Sequence, residues 1–375
     1  MKTTPNHRTA TRVLVLGAGY AGLMAALRLA PHTRVTLVDP ADRFTERVRL
    51  HERAAGRPDV THPLAAFLRG TGITHVTARA AVLDPAARLV TTDDGRGLPY
   101  DRLVYALGSR TLLPAGADAR DTRAYTAESA AGLHKHLRDR PGSVAVVGGG
   151  LTGVEMAAEL AETYGAGGTP VSLLTAGAVG EGLSTRGAGH VRSVLRARGV
   201  RISEGHRVAH PDEVAADVVV WAASLAPRTG LARDAGLPLA PSGRIAVDAR
   251  LRSPAHPEIY VPGDAGAAAT EAAGPLRMAC ATALPTGAHA AMSIIRELRG
   301  EEPEALRFGY VLQCLSLGRS DGLVQFVRPD DSPRARTLTG RAAAFAKEQV
   351  VRSTVRALRT ASRRPSLVGL IPGIG

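Results

Sequence analysis

The stretch VAVVGGGLTGVEMAAEL, residues 144–160, reads as a short apolar strand, a glycine turn and the opening of a helix. The same order of parts stands earlier in the chain, as VLVLGAGYAGLMAALRL at 13–29. A turn of this kind binds one dinucleotide, because glycines let the backbone approach a pyrophosphate and the helix start offers partial positive charge. Two such turns therefore imply two nucleotides held by one chain.

Within the first turn, Gly17 permits the tight bend, Gly19 the approach of the pyrophosphate, and Gly22 the close packing of helix on strand. A carboxylate about 20 residues on is expected to bond ribose hydroxyls. Asp39, at the end of the next strand RVTLVDP (34–40), meets that expectation. In the second turn Gly148, Gly150 and Gly153 take the same roles, but the acid is missing. Thr175 stands in its place at the end of PVSLLTA, so a 2′-phosphate is not repelled and NADPH is admitted beside NADH. Arg186 either reaches such a phosphate or sits on a solvated helix face. Glu155 reads as lying in the first turn of the second helix, where the dipole stabilises a carboxylate although a pyrophosphate would be repelled. It serves either the helix end or the nicotinamide and flavin side.

Length and composition bound the rest. The 375 residues allow two or three domains, and 45% hydrophobic residues without a membrane-length apolar run describe a globular chain. The opening MKTTPNHRTATRVLVLGAG lacks a secretory pattern, and Cys280 and Cys314 form neither a CxxC nor a bridge framework, which fits a reducing cytoplasm. No metal site is expected. The net charge of +13 accompanies a strong bias to arginine; with aromatics at 3% there is no basic-aromatic strip, so nucleic acid is not an expected partner.

Along the chain, a βαβ unit from Arg12 is followed by β-rich runs at 73–92 and 98–109, with proline and glycine crowded at 114–116. A second βαβ unit starts at Val144, with ADVVVWAAS (216–224) as a later strand. EIYVPGDAG (258–266) and a helix from about Ala283 to Arg299 then return to the earlier style. The expected fold is α/β, with two Rossmann-like dinucleotide-binding domains, one inserted in the other, and a C-terminal helical segment. The boundaries read as 1–113 and 248–305 for the outer domain, 114–247 for the inserted one and 306–375 for the C-terminal segment.

Taken together, GAGYAG, YDRLVYALGS, GGGLTGVEMA, ADVVVWAASLAP and YVPGDAG resemble the FAD-dependent pyridine nucleotide-disulfide oxidoreductases, and among them most of all the type II NADH dehydrogenases. The resemblance covers about residues 12–325. It implies FAD on the outer domain, NAD(P)H on the inserted one and hydride transfer between them. It puts Gly17, Gly19, Ala21, Gly22 and Asp39 on the adenosine and pyrophosphate of FAD, with Val82 as a backbone contact to adenine. Ala106 and Gly108 match the turn beside the dinucleotide, and Gly263 and Asp264 the ribityl and pyrophosphate contact. Arg47, or Arg49 in its stead, matches a contact to the FAD phosphates. Gly148, Gly150, Gly153, Ala223 and Glu155 match the nicotinamide side, with Glu155 the candidate catalytic residue. Cys280 and Ala281 fall near the pyrimidine edge of the flavin, at the start of a helix.

The chain departs from this pattern in three places. Thr175 replaces the ribose acid. Ala281, Pro285 and Thr286 stand where the quinone-reducing members carry glutamines in MACATALPTGAHAA, and no dithiol appears in the FAD domain. The acceptor is therefore open between a quinone and a specialised metabolite, and a flavin-binding redox sensor is the alternative to an enzyme. From Gly340 the chain reads as a helix with an apolar stripe of Ala344, Val351, Val355 and Leu358 beside a basic face of Arg352, Arg356, Arg359 and Arg363. That helix either lies on the inner face of the membrane, with SLVGLIPGIG (366–375) dipping in, or docks on the FAD domain. Association as a homodimer is left open.

Overall fold

The computed structural model describes residues 11–57, 60–117 and 123–365. Strands Ile259–Tyr260, Arg102–Tyr105, Arg12–Leu16, Arg34–Val38 and Thr74–Val76 form one parallel sheet, in that order. Strands Ala124–Thr126, Val218–Trp221, Val144–Val147, Val171–Leu174 and Arg201–Ser203 form a second. In each sheet the strand that feeds a glycine turn is central. Val13–Leu16 and Val144–Val147 are buried along their whole length, as parallel strands covered on both faces must be.

Helix Tyr20–Leu29 follows the first turn and is buried on every side, between its sheet, helix Cys280–Leu298 and helix Gly340–Arg363. Helix Cys280–Leu298 begins earlier than the sequence suggests and carries Pro285 inside it. A proline at the sixth helical position removes one N–H bond, yet tertiary packing holds the turn. Residues 80–99 add a three-stranded antiparallel sheet to the first unit.

Both passages between the units run through one ribbon, in which Ser109–Thr111 pairs antiparallel with Leu225–Pro227. Ala232, Leu237 and Ile245, assigned above to the inserted segment, pack with Leu14, Leu16, Tyr105 and Ile259 of the first unit. The return passage thus falls at 225–227 rather than near 247.

Strands Leu312–Ser316, Gly322–Val327 and Pro333–Thr339 form an antiparallel sheet whose Leu315, Leu317 and Leu323 join the core of the second unit. The C-terminal helix turns Val355, Leu358 and Ala361 into the core of the first. Its buried stripe comprises Ala343, Val351, Thr354, Val355, Leu358 and Ala361. Ala343, not Ala344, takes the first stripe position, and the stripe is spent on docking. Arg352, Arg356, Arg359 and Arg363 stay exposed. Among the described residues no helix is long and apolar enough to cross a membrane; the segment 366–375 lies outside them.

Candidate functional site

The two glycine turns share one steric pattern at their three glycines. Gly17 has φ +96° and Gly148 φ +122°, a region L side chains avoid. A Cβ on Gly17 would stand 2.6 Å from the Ala106 carbonyl oxygen, and one on Gly148 2.7 Å from that of Ala222 and 2.8 Å from the Ala223 nitrogen. A Cβ on Gly22 would meet Gly17 O at 1.9 Å, and one on Gly153 would meet Gly148 O at the same distance. Gly19 and Gly150 differ in kind, because a Cβ there meets nothing within 4 Å. Each is the N-cap of its helix, and neither helix has a side-chain cap. Both helix starts thus present unpaired N–H groups to open space, the requirement of an anionic phosphate.

The first turn is completed by side chains from distant parts of the chain. The Asp39 carboxylate accepts the Ala18 N–H at 2.7 Å and the Ala41 N–H at 2.8 Å. Gly263, at φ +75°, lies against Ala21, and its N–H donates to Thr286 Oγ1 at 2.9 Å. A Cβ on Gly287 would stand 2.3 Å from Ala21 O, so helix Cys280–Leu298 rests directly on the turn. Asp264 Oδ2 accepts from Ser109 Oγ at 2.6 Å, while its Oδ1 is buried with no partner. An orphaned carboxylate oxygen beside an open glycine cradle fits a ligand rich in hydroxyls, as the ribityl chain of FAD is. Gly108, at φ +68°, and the exposed Ala281 flank the same region.

The other expected residues stand as follows. Val82 is 57% exposed on strand Ala80–Asp84. The Arg47 guanidinium is taken by Glu128 at 2.8 Å, and Arg49 by Glu46, Glu52 and Glu348, so neither is free for a phosphate. Carboxylates nearby compete for these cations, a pairing that a motif does not encode. Pro285 and Thr286 are buried, and Thr286 serves the Gly263 turn. Of the three replaced glutamine positions, only Ala281 is exposed. In the second unit Thr175 is buried at the strand end against Gly149, and Arg186 is exposed.

Glu155 lies in the second turn of helix Leu151–Tyr164, as its fifth residue, because Gly150 caps the helix. It is therefore removed from the N–H groups of the helix start. Its Oε1 receives Lys347 Nζ at 2.8 Å and the Ser316 N–H at 2.9 Å, and His51 Nδ1 lies 3.9 Å from Oε2. Burial would raise the pKa of this carboxyl, but Lys347 and His51 hold it below the ordinary value. Burial likewise opposes the charge on Lys347, and Glu155 overrides it, so the ammonium titrates above its usual range. His51, fully enclosed, is pushed down by burial.

Lys347 Nζ also donates to the Cys314 carbonyl at 3.2 Å. Burial pushes the Cys280 thiol up to about 11, and raises Cys314 too, so both remain thiols at neutral pH. The pair thus sits where the second unit, the C-terminal sheet and the C-terminal helix meet. Lys347, His51 and Ser316 were not found from sequence. One signal was present: Lys347 is one of only three lysines among 47 basic residues. A compact ammonium fits a closed carboxylate site that a planar guanidinium does not.

The pattern of the pyridine nucleotide-disulphide oxidoreductases matches residues 11–292. The chain belongs to that family. It is an oxidoreductase that works with FAD and NAD(P)H. An NADH dehydrogenase-like protein of Mycobacterium tuberculosis is 32% identical over 351 residues, 82% of this chain and 86% of that one. A type II NADH:quinone oxidoreductase of Staphylococcus aureus is 28% identical, covering 90% of this chain and 94% of its own. Among solved structures, NDH2 from Plasmodium falciparum in complex with NADH superposes with a TM-score of 0.80 at 15% identity, over 98% of this chain and 99% of that one. The sulfide:quinone oxidoreductase of Aquifex aeolicus gives 0.78 at 20% identity, over 97% and 96%. At those identities the likeness is one of fold.

Proposed function

We propose that this oxidoreductase passes electrons from NAD(P)H through FAD to a quinone. FAD supplies the chemistry, accepting two electrons from the nicotinamide and releasing them to the acceptor. Gly17, Gly19, Ala21, Gly22 and Asp39 hold its adenosine and pyrophosphate, Ala106 and Gly108 flank it, and Asp264, with its free Oδ1, holds the ribityl chain beside Gly263. Ala281 lies at the mouth. Gly148, Gly150, Gly153 and Ala223 form the NAD(P)H side. The single observation that carries this reading is the pair of capless helix starts over Gly19 and Gly150, two phosphate cradles on one chain.

Glu155 and Lys347 complete the site. Lys347 Nζ, 2.8 Å from the carboxylate, keeps Glu155 ionised on the helix of the NAD(P)H turn. The quinone is favoured by the named relatives of similar length and by a positively charged outer face. Arg352, Arg356 and Arg359 line a groove of about 460 Å³ beside the C-terminal helix, together with Arg49 and the carboxylates of Glu46, Glu52 and Glu348. The exposed Arg356, Arg359 and Arg363 are the cations this helix offers to an anionic membrane surface, where lipid quinones are met. Peripheral attachment on the cytoplasmic side follows from this reading. The metabolite reading retains one support, Ala281 in place of a hydrogen-bonding side chain.

The test is stopped-flow reduction of the bound flavin by NADH and NADPH, followed by reoxidation with a quinone series and with oxygen alone. Flavin reoxidation that quinones do not accelerate would reject the quinone reading while leaving the oxidoreductase in place.

A further inference from the structure

Arg28 lies on helix Tyr20–Leu29 and is only 6% exposed. It has no hydrogen bond and no ion pair among the described residues, and no carboxylate is near enough to perturb it; burial alone lowers its proton affinity. A guanidinium stays charged in a protein, and a buried charge without a counter-ion is costly. The other buried arginine among the described residues, Arg244, donates to the carbonyls of Asp264 and Leu276 at 3.1 and 2.7 Å, and the half-buried Arg49 is held by three glutamates.

Arg28 opens onto a cavity of about 240 Å³ on the far face of helix Cys280–Leu298. Two more unpartnered polar atoms line it. Ser293, 2% exposed, has a buried Oγ with no partner, and His289 has a buried Nε2 with none. A helical serine commonly bonds the carbonyl one turn back, as Thr286 does in this helix with Thr282 O at 2.7 Å. Ser293 does not. The acid at the rim, Glu304, is engaged by Arg296. Arg296 and Arg307 complete the polar rim, and the apolar wall is Pro285, Ala288 and Met292, spaced along one helix face.

We propose that this cavity is a binding site for a small monocarboxylate with an apolar body. Its carboxylate meets the Arg28 fork in the bidentate geometry that guanidinium favours. Ser293 Oγ and His289 Nε2 add hydrogen bonds, and the apolar body fills the space between Pro285, Ala288 and Met292. Arg296 is already held by Glu301 and Glu304, and Arg307 stands exposed at the rim, so Arg28 is the one buried cation lining the cavity, which favours a single negative charge over a phosphate dianion. The site is separate from both glycine turns, and its occupant touches the helix that supports the Gly263 turn through Thr286.

The experiment uses the full-length holoprotein and measures its melting temperature against butyrate, benzoate, inorganic phosphate and chloride at constant ionic strength. Butyrate or benzoate is expected to raise the melting temperature saturably, as ligand linkage requires. Arg28→Met should abolish that response and, by removing the buried charge, leave the ligand-free protein at least as stable. Ser293→Ala, a small change in a buried site, should weaken the apparent affinity about tenfold while the flavin spectrum is retained. No saturable shift with either carboxylate would overturn the proposal. So would an equal shift in Arg28→Met, or a response to phosphate alone. Should Arg28→Met not fold, the Ser293→Ala titration decides, and an affinity equal to that of the parent protein refutes the site.

Discussion

The carboxylate of Glu155, on the helix of the second nucleotide turn, receives the ammonium of Lys347 from the C-terminal helix at 2.8 Å. Each partner would be costly to bury alone. Removing one strands the other, a loss of about 3–5 kcal/mol. Glu155→Gln is therefore expected to lower the melting temperature and slow flavin turnover while FAD stays bound. Glu155→Gln with Lys347→Met should regain stability but not turnover. Differential scanning calorimetry and stopped-flow absorbance read the two effects separately; recovery of both would leave the pair with a structural role only.

The pair also sets a pH window. The depressed Glu155 contributes stability above its ordinary value of 4.5 and loses it as pH falls through the lower folded value. The raised Lys347 contributes below 10.5 and loses it as pH rises through its higher folded value. Between these limits, the difference in melting temperature between the parent protein and the double variant should be flat with pH.

His289 adds a dependence of its own inside that window. Burial pushes its imidazole down to about 4, with Glu304 and Asp248 opposing. The unfolded chain takes up this proton first, near 6.5, so folding stability falls as pH drops from there towards 4. In the absence of carboxylates, melting temperature against pH should be flatter in His289→Gln across that interval. Parallel curves would count against it.

The glycines separate folding from binding. Gly22→Ala and Gly153→Ala place a Cβ 1.9 Å from backbone oxygen, and neither should yield folded protein. Gly19→Ala and Gly150→Ala meet nothing, so both should fold. Gly19→Ala should lose FAD on dialysis, and Gly150→Ala should keep its flavin but require about tenfold more NAD(P)H. Absorbance of the dialysed protein and donor titrations distinguish them.

Thr175 predicts the donor. With no carboxylate at that strand end, the parent protein should reduce with NADH and NADPH at similar efficiency, and Thr175→Glu should turn away NADPH. A hundredfold NADH preference in the parent, about 2.7 kcal/mol, would mean that another group grips the ribose.

Both glycine turns were legible because they are local: three glycines and a helix start fix their geometry before any tertiary contact forms. Glu155 was placed a turn too early, because the helix begins at its Gly150 cap and not at the glycine run. Lys347 was invisible for a different reason, since a pairing between two helices far apart in sequence exists only once the core has closed. The fate of Arg47 was hidden likewise, and so was the return passage at 225–227, where a helix and loop rich in turn residues join the first unit through Ala232, Leu237 and Ile245. Helix Cys280–Leu298 starts ahead of the expected Ala283 and carries Pro285 inside it.

The ribbon of Ser109–Thr111 with Leu225–Pro227 has a consequence for assembly. Strand Ile259–Tyr260 and helix Cys280–Leu298, which finish the first unit, emerge only after the whole second unit has been made. If the inserted unit folds at once, its ends are already side by side, and the first unit closes as though joined by a short turn. If it stays unfolded, the first unit must close a long slack loop, and that entropy weakens it. Damage within the inserted unit is thus felt as delayed closure of the flavin unit, at a distance and without any broken contact there.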